Sequence, residues 1–169
     1  MLSVNGARLL ERINELGTIG KDEEGRRTRL AASDTEKQGR DKVVRWMEDA
    51  DLKVVVDRIG NIFGIWEIAE NKDKKPLMIG SHIDTVINAG QYDGCLGVIG
   101  AIEVIRTLKE AGRQSERPIV VGAFTNEEGV RYSPDMMGSL VYADGLPVDE
   151  VLKTVGTDGT ILGEELKRI

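Results

Sequence analysis

Histidine, cysteine and long apolar runs are what this chain has least of. One histidine and one cysteine stand in 169 residues, with four prolines and 4% aromatics. A single cysteine, Cys95, excludes an internal disulfide framework and suits a reducing compartment, which points to the cytoplasm. No stretch of about 18 apolar residues is present, so no membrane-spanning helix is expected. The opening MLSVNGARLLERINEL lacks the basic start, apolar stretch and cleavage site of a secretory signal. With a net charge of -6 there is no basic stripe to neutralise phosphates, and nucleic acid is not an expected partner. The one dense basic patch, Arg26-Arg27 with Arg29, follows acidic Asp22-Glu23-Glu24 and reads as a solvated loop.

What is present is 40% hydrophobic and 31% charged residues, in a length that suits one domain with a real core. Residues 2–16 read as an amphipathic helix carrying Leu9, Leu10, Ile13 and Leu16 on one face, ended by Gly17 and Gly20. Ser33 or Asp34 is set to cap a second helix bearing Val43, Val44, Trp46 and Met47. LKVVVD and NIFGIWEI read as strands joined by a turn at Ile59-Gly60-Asn61. PLMIGS is a short continuous apolar run, as expected for a strand covered on both faces. A helix from Gly94 to Ala111 and a strand from Arg117 to Phe124 complete a βαβ unit with a right-handed crossover. VDEVLK and GEELKR are two further short helical patterns. The fold class is α/β, a mixed and largely parallel sheet flanked by helices.

Two segments carry the chemistry, GSHIDTVINAGQYDGCLGVIG at 80–100 and FTNEEGVRYSPDMMGS at 124–139. In open α/β sheets ligands gather at the carboxyl ends of strands. His82 follows one expected strand, Glu127 and Glu128 follow the other, and Asp93 precedes the helix between them. Each has a bland reading: a structural histidine, a turn aspartate, a surface acidic pair. Together they crowd carboxylates where their mutual repulsion needs a cation to offset it. Asp84, two residues past His82, is placed to accept the other imidazole N–H and set the metal-binding tautomer. Gly94, Gly97 and Gly100 do not make a dinucleotide fingerprint, because a long polar loop separates them from the strand; they let the helix approach the sheet. Cys95, between Gly94 and Leu96, reads as a packed small residue rather than a nucleophile.

These segments, with NGARLLERINELGTIG and TRLAASDTEKQGRDKVVRWMEDADLKVVVDRIGNIFG before them, resemble the N-carbamoyl-L-amino-acid hydrolase family. That family includes allantoate amidohydrolase and β-ureidopropionase and is related to carboxypeptidase G and aminoacylase. The resemblance implies a metal-dependent amidohydrolase of linear amides and ureido groups that takes two divalent ions, Zn, Mn, Co or Ni, and an N-carbamoyl or ureido substrate. It implies metal ligation by His82, Asp93 (bridging) and Glu128, with Glu127 as general base and Asp84 orienting His82. Gln91 and Asn126 fall near enough to reach substrate. The family's two further histidine ligands have no counterpart here, since His82 is the single histidine. Residues 1–169 are therefore expected to be the N-terminal part of a catalytic domain. The domain through which the family forms homodimers, and the later half of the sheet, lie outside. Such a piece is expected to be inactive alone; the alternative is half of a split enzyme, or a non-catalytic interaction module that needs a partner chain.

Overall fold

The computed structural model describes residues 2–169. Helix α1 (Gly6–Leu16) starts later than its apolar period suggests, because the Asn5 side chain accepts the Arg8 backbone N–H at 3.1 Å and caps it there. Ile13 and Leu16 are buried and Leu9 partly so, while Leu10 turns to solvent. Helix α2 (Asp34–Glu48) is capped by Ser33, which accepts from the Glu36 backbone N–H at 3.1 Å. It buries Val43, Trp46 and Met47.

Strands β1 (Lys53–Val56) and β2 (Ile62–Trp66) pair antiparallel, from Lys53 opposite Ile65 to Val56 opposite Ile62. The turn between them is held by the Asp57 carboxylate, which accepts from the backbone N–H of Ile59 and Asn61 and from the Asn61 amide. Strand β3 (Leu77–His82), helix α3 (Cys95–Glu110) and strand β4 (Ile119–Phe124) form the expected βαβ unit, with β3 and β4 parallel and His82 opposite Phe124. The sheet order is β1-β2-β4-β3, so one of its three pairings is parallel and two are antiparallel.

β4 is interior and buried, as its apolar run suggests. β3 is not covered on both faces as expected. It is the edge strand among the described residues, with Leu77 53% exposed and Gly80 exposed. An apolar run reports a tendency to be covered; it does not report which neighbours are at hand.

One face of the sheet packs against α1, α2 and α3 through Ile13, Met47, Ile99, Ile102, Val121 and their neighbours. Gly97 lets α3 sit close, since a Cβ there would lie 2.7 Å from the Ser81 Cβ; Gly100 has open space and plays no such part. The other face carries Phe63 and Phe124, whose ring centroids lie 6.2 Å apart, with Tyr142 against both. Tyr142 ends α4 (Met137–Tyr142), a helix without a sequence signal, because no capping side chain or acidic first turn announces it. The chain from Tyr132 onward, with α5 (Val148–Val151) and α6 (Leu162–Arg168), builds a second cluster against Ala31, Ala32 and Ile59. No helix among the described residues is long and apolar enough to cross a membrane.

Candidate metal centre

β3 and β4 run parallel and in register, so whatever follows their last residues emerges at one edge. His82 ends β3; Glu127 and Glu128 follow β4 on a tight turn where Asn126 (φ 52) and Gly129 (φ 66) take left-handed conformations. Asp93 arrives at the same edge just ahead of α3. Gly94 brings it in: with φ +62 it lies so close to His82 that a Cβ would fall 2.5 Å from the His82 carbonyl oxygen and 2.6 Å from ring atoms Cε1 and Nε2. No side chain fits between those segments.

The result is a cluster. His82, Asp93 and Glu128 each offer a ligand atom, all within 4.8 Å of one another. His82 is 5% exposed, whereas the Asp93 side chain is 71% exposed. The His82 Nε2 stands 3.7 Å from Asp93 Oδ1 and 3.3 Å from Glu127 Oε2. Thus all four residues expected at this site, and Asp84 beneath them, are brought together.

Asp84 differs from expectation in how it acts. Its backbone carbonyl, 3.0 Å from His82 Nδ1, is the acceptor for the imidazole, while its carboxylate lies 3.6 Å away. The carboxylate instead accepts the backbone N–H groups of Glu127 at 3.2 Å and Glu128 at 3.1 Å. A carbonyl cannot donate, so Nδ1 carries the proton in the neutral ring and the Nε2 lone pair faces the carboxylates.

Electrostatics favour a cation here. Burial alone would lower the His82 pKa, but the hydrogen bond and charge of Asp84 and the charge of Glu127 raise it to about 9. Burial pushes the Glu128 carboxyl up, as do the charges of Asp93, Asp84 and Glu127, against the opposing pull of His82. The imidazole and carboxylate donor set fits a divalent transition metal.

Two residues expected near substrate are otherwise engaged. Asn126 is fully buried, and its amide donates to the carbonyls of Tyr132 at 2.8 Å and Pro134 at 3.1 Å, so it holds the 126–137 loop together. Gln91 donates to the Asn14 side chain at 3.3 Å. Cys95 is 3% exposed, and burial pushes its thiol pKa up, in keeping with a packed residue.

The basic patch is where sequence reading fails most. Arg26 is solvated and paired with Asp22 and Glu24, but Arg27 is buried and bonds the carbonyls of Gly17 and Ala89. Arg29 is fully buried. A charge run gives no sign that some of its members turn inward to satisfy carbonyls. A cleft of about 320 Å³ opens elsewhere, lined by Arg40, Arg58, Gly60 and Leu166 among others, and includes none of the cluster's residues.

A mixed sheet whose parallel pair presents a histidine and carboxylates at its carboxyl ends defines an α/β protein with a candidate site at the sheet edge. The chain belongs to peptidase family M28, whose sequence profile matches residues 61–166. It is similar to the N-carbamoyl-L-amino acid amidohydrolase of Geobacillus stearothermophilus, 40% identical over 165 residues that make up 98% of this chain and 40% of that protein. It is 42% identical to a probable allantoate deiminase of Oryza sativa subsp. japonica over 158 residues, 92% of this chain and 32% of the relative. The crystal structure of a hydantoinase/carbamoylase family amidase from Burkholderia ambifaria superposes with a TM-score of 0.96 at 38% identity, covering 99% of this chain and 41% of that one. The chain thus spans about a third to two fifths of the length of these relatives.

Proposed function

We propose that this chain is the N-terminal part of the catalytic domain of a metal-dependent amidohydrolase that acts on the linear C–N bonds of N-carbamoyl amino acids or allantoate-type ureido compounds, releasing ammonia. The observation that carries the reading is the convergence of His82, Asp93 and Glu128 within 4.8 Å, beside Glu127, at the ends of two parallel strands. The similarity to carbamoylases and allantoate deiminases supports the substrate class.

His82 Nε2 and the carboxylates of Asp93 and Glu128 would hold the metal, with Asp93 shared if two ions bind. A divalent ion there supplies Lewis acidity toward the substrate carbonyl and toward water; Zn, Mn, Co and Ni all suit these donors. The chain's own groups divide the remaining work. The Asp84 carbonyl keeps the His82 tautomer, and the Asp84 carboxylate holds the backbone of the Glu127–Glu128 turn. Glu127, half-buried, caps no backbone and stands outside the ligand triad. It is the carboxylate left to take a proton from water and return it to the departing nitrogen.

Three groups from one histidine and two carboxylates leave a metal short of ligands, and His82 is the sole histidine. The whole protein would supply the rest, along with the surface through which it pairs with a second copy. The 169 residues alone are expected to bind a metal and to hydrolyse nothing. Elemental analysis and calorimetric titration with Zn²⁺ and Mn²⁺, beside His82→Ala, test this. Stoichiometric binding that disappears in the variant and on chelation is the expected result. Equal binding by wild type and variant would refute the site; ammonia release at an ordinary enzyme rate would refute the inactivity.

A further inference from the structure

Arg29 is a fully buried guanidinium with no carboxylate within ion-pairing distance among the described residues. All its acceptors are neutral. Nε donates to the Ile83 carbonyl at 2.7 Å, Nη1 to the carbonyls of Leu16 at 3.3 Å and Ile19 at 3.1 Å, and Nη2 to the Cys95 sulfur at 3.2 Å. Its backbone exchanges two more bonds with Thr85: the Arg29 N–H to Thr85 Oγ1 at 2.8 Å, and the Thr85 N–H to the Arg29 carbonyl at 2.9 Å. Gly39 of α2 makes the seat, since a Cβ there would press to 3.0 Å from Arg29 Cδ.

The position of those acceptors is what matters. Ile83 lies between His82 and Asp84, and Cys95 lies two residues past Asp93. One rigid, planar fork thus ties both ligand-bearing segments to the end of α1. A buried charge with neutral partners is a poor source of stability, and an apolar side chain of similar length would fill the space with less desolvation. What the fork supplies that an apolar chain cannot is fixed direction.

We propose that Arg29 is a positioning residue of the metal centre, setting the separation of the His82 and Asp93 segments by bonding Ile83 and Cys95 at once. This rests on the metal-site reading above, but the juxtaposition it describes is measurable without metal. The His82 ring abuts Gly94 (a Cβ there would be 2.6 Å from Cε1), so nuclear Overhauser contacts between the single imidazole and the Gly94 α-protons report the separation directly.

Arg29→Met and Arg29→Lys are compared with wild type and with Ile105→Ala, a core truncation in α3 away from the site. The readouts are Mn²⁺ affinity and the His82–Gly94 contacts, taken below each variant's melting temperature. Arg29→Met is expected to lose the contacts and to bind Mn²⁺ at least tenfold more weakly. Arg29→Lys, which keeps the charge but not the fork, is expected to fall between, and Ile105→Ala to stay within twofold of wild type with its contacts intact. Should Arg29→Met fail to fold, Arg29→Lys decides alone: wild-type affinity and contacts in it overturn the proposal. If the wild type itself binds no Mn²⁺, the metal reading fails; loss of contacts in the Arg29 variants still upholds the positioning role, and retention overturns it. Equal weakening in Ile105→Ala also overturns it, because the effect is then general destabilisation.

Discussion

The Asp84 carboxylate grips the backbone N–H of Glu128 at 3.1 Å across 44 residues of sequence, and that of Glu127 at 3.2 Å. One buried side chain therefore couples the loop after β3 to the loop after β4. The two ends of the site cannot move independently while both bonds are in place.

Asp84→Ala orphans two backbone donors beneath the cluster. Each unsatisfied buried group costs about 1–3 kcal/mol, and because both donors are only part-buried a loss of about 2–4 kcal/mol, in the lower part of the summed range, is expected in urea unfolding. Asp84→Asn keeps the shape and one acceptor oxygen, and a loss of about 1 kcal/mol is expected. An unchanged midpoint for the alanine variant would show that the clamp carries no stability.

Gly94→Ala and Gly100→Ala should move in opposite directions although both change glycine near or within the same helix. At Gly94 the φ of +62 and the His82 ring leave no room, so the variant should lose about 1–3 kcal/mol and shift the single histidine's imidazole resonances. At Gly100 nothing lies within 4 Å, and helix propensity should give a gain of up to about 1 kcal/mol. Thermal melts and a histidine-selective spectrum of each variant check this. A stable Gly94→Ala with unshifted resonances would contradict the packing described.

Acid should weaken the second cluster. The Asp158 carboxyl is held down at about 2, by the Thr160 hydroxyl above all and by Arg131. Glu165 is held down at about 2 by Arg168 and Arg131. Folded pKa values below the unfolded ones mean stability present above about pH 4–5 and lost as pH falls toward 2. Arg131→Met, which also gives up the Ala31 carbonyl and the stacking over Tyr132, should lower stability at pH 7 and flatten the fall between pH 5 and 2. Urea midpoints at pH 7, 5 and 3 measure both; parallel curves for variant and wild type would rule out the linkage.

The local signals in this chain were strong where the physics is local. Apolar period placed α1 through α3 and β1 through β4 to within a few residues, and Ser33 caps α2 as its position predicts. The grouping of His82, Asp93, Glu127 and Glu128 was legible because strand ends in a βαβ unit must share an edge. Besides α4 and the exposed edge of β3, three side-chain placements were not legible. Arg27 and Arg29 turned inward, Asn126 spent its amide on its own loop, and Asp84 gave its carboxylate to the Glu127–Glu128 turn and only its carbonyl to His82. Each depends on which unpaired carbonyl or N–H lies within about 3 Å in space, and charge, polarity and spacing along a chain carry no record of that. Sequence by itself determined most of the elements and the chemistry offered at the sheet edge. Tertiary structure alone decided which polar groups face that edge and which are consumed in holding it, because buried backbone must be satisfied by whatever side chain the fold brings near.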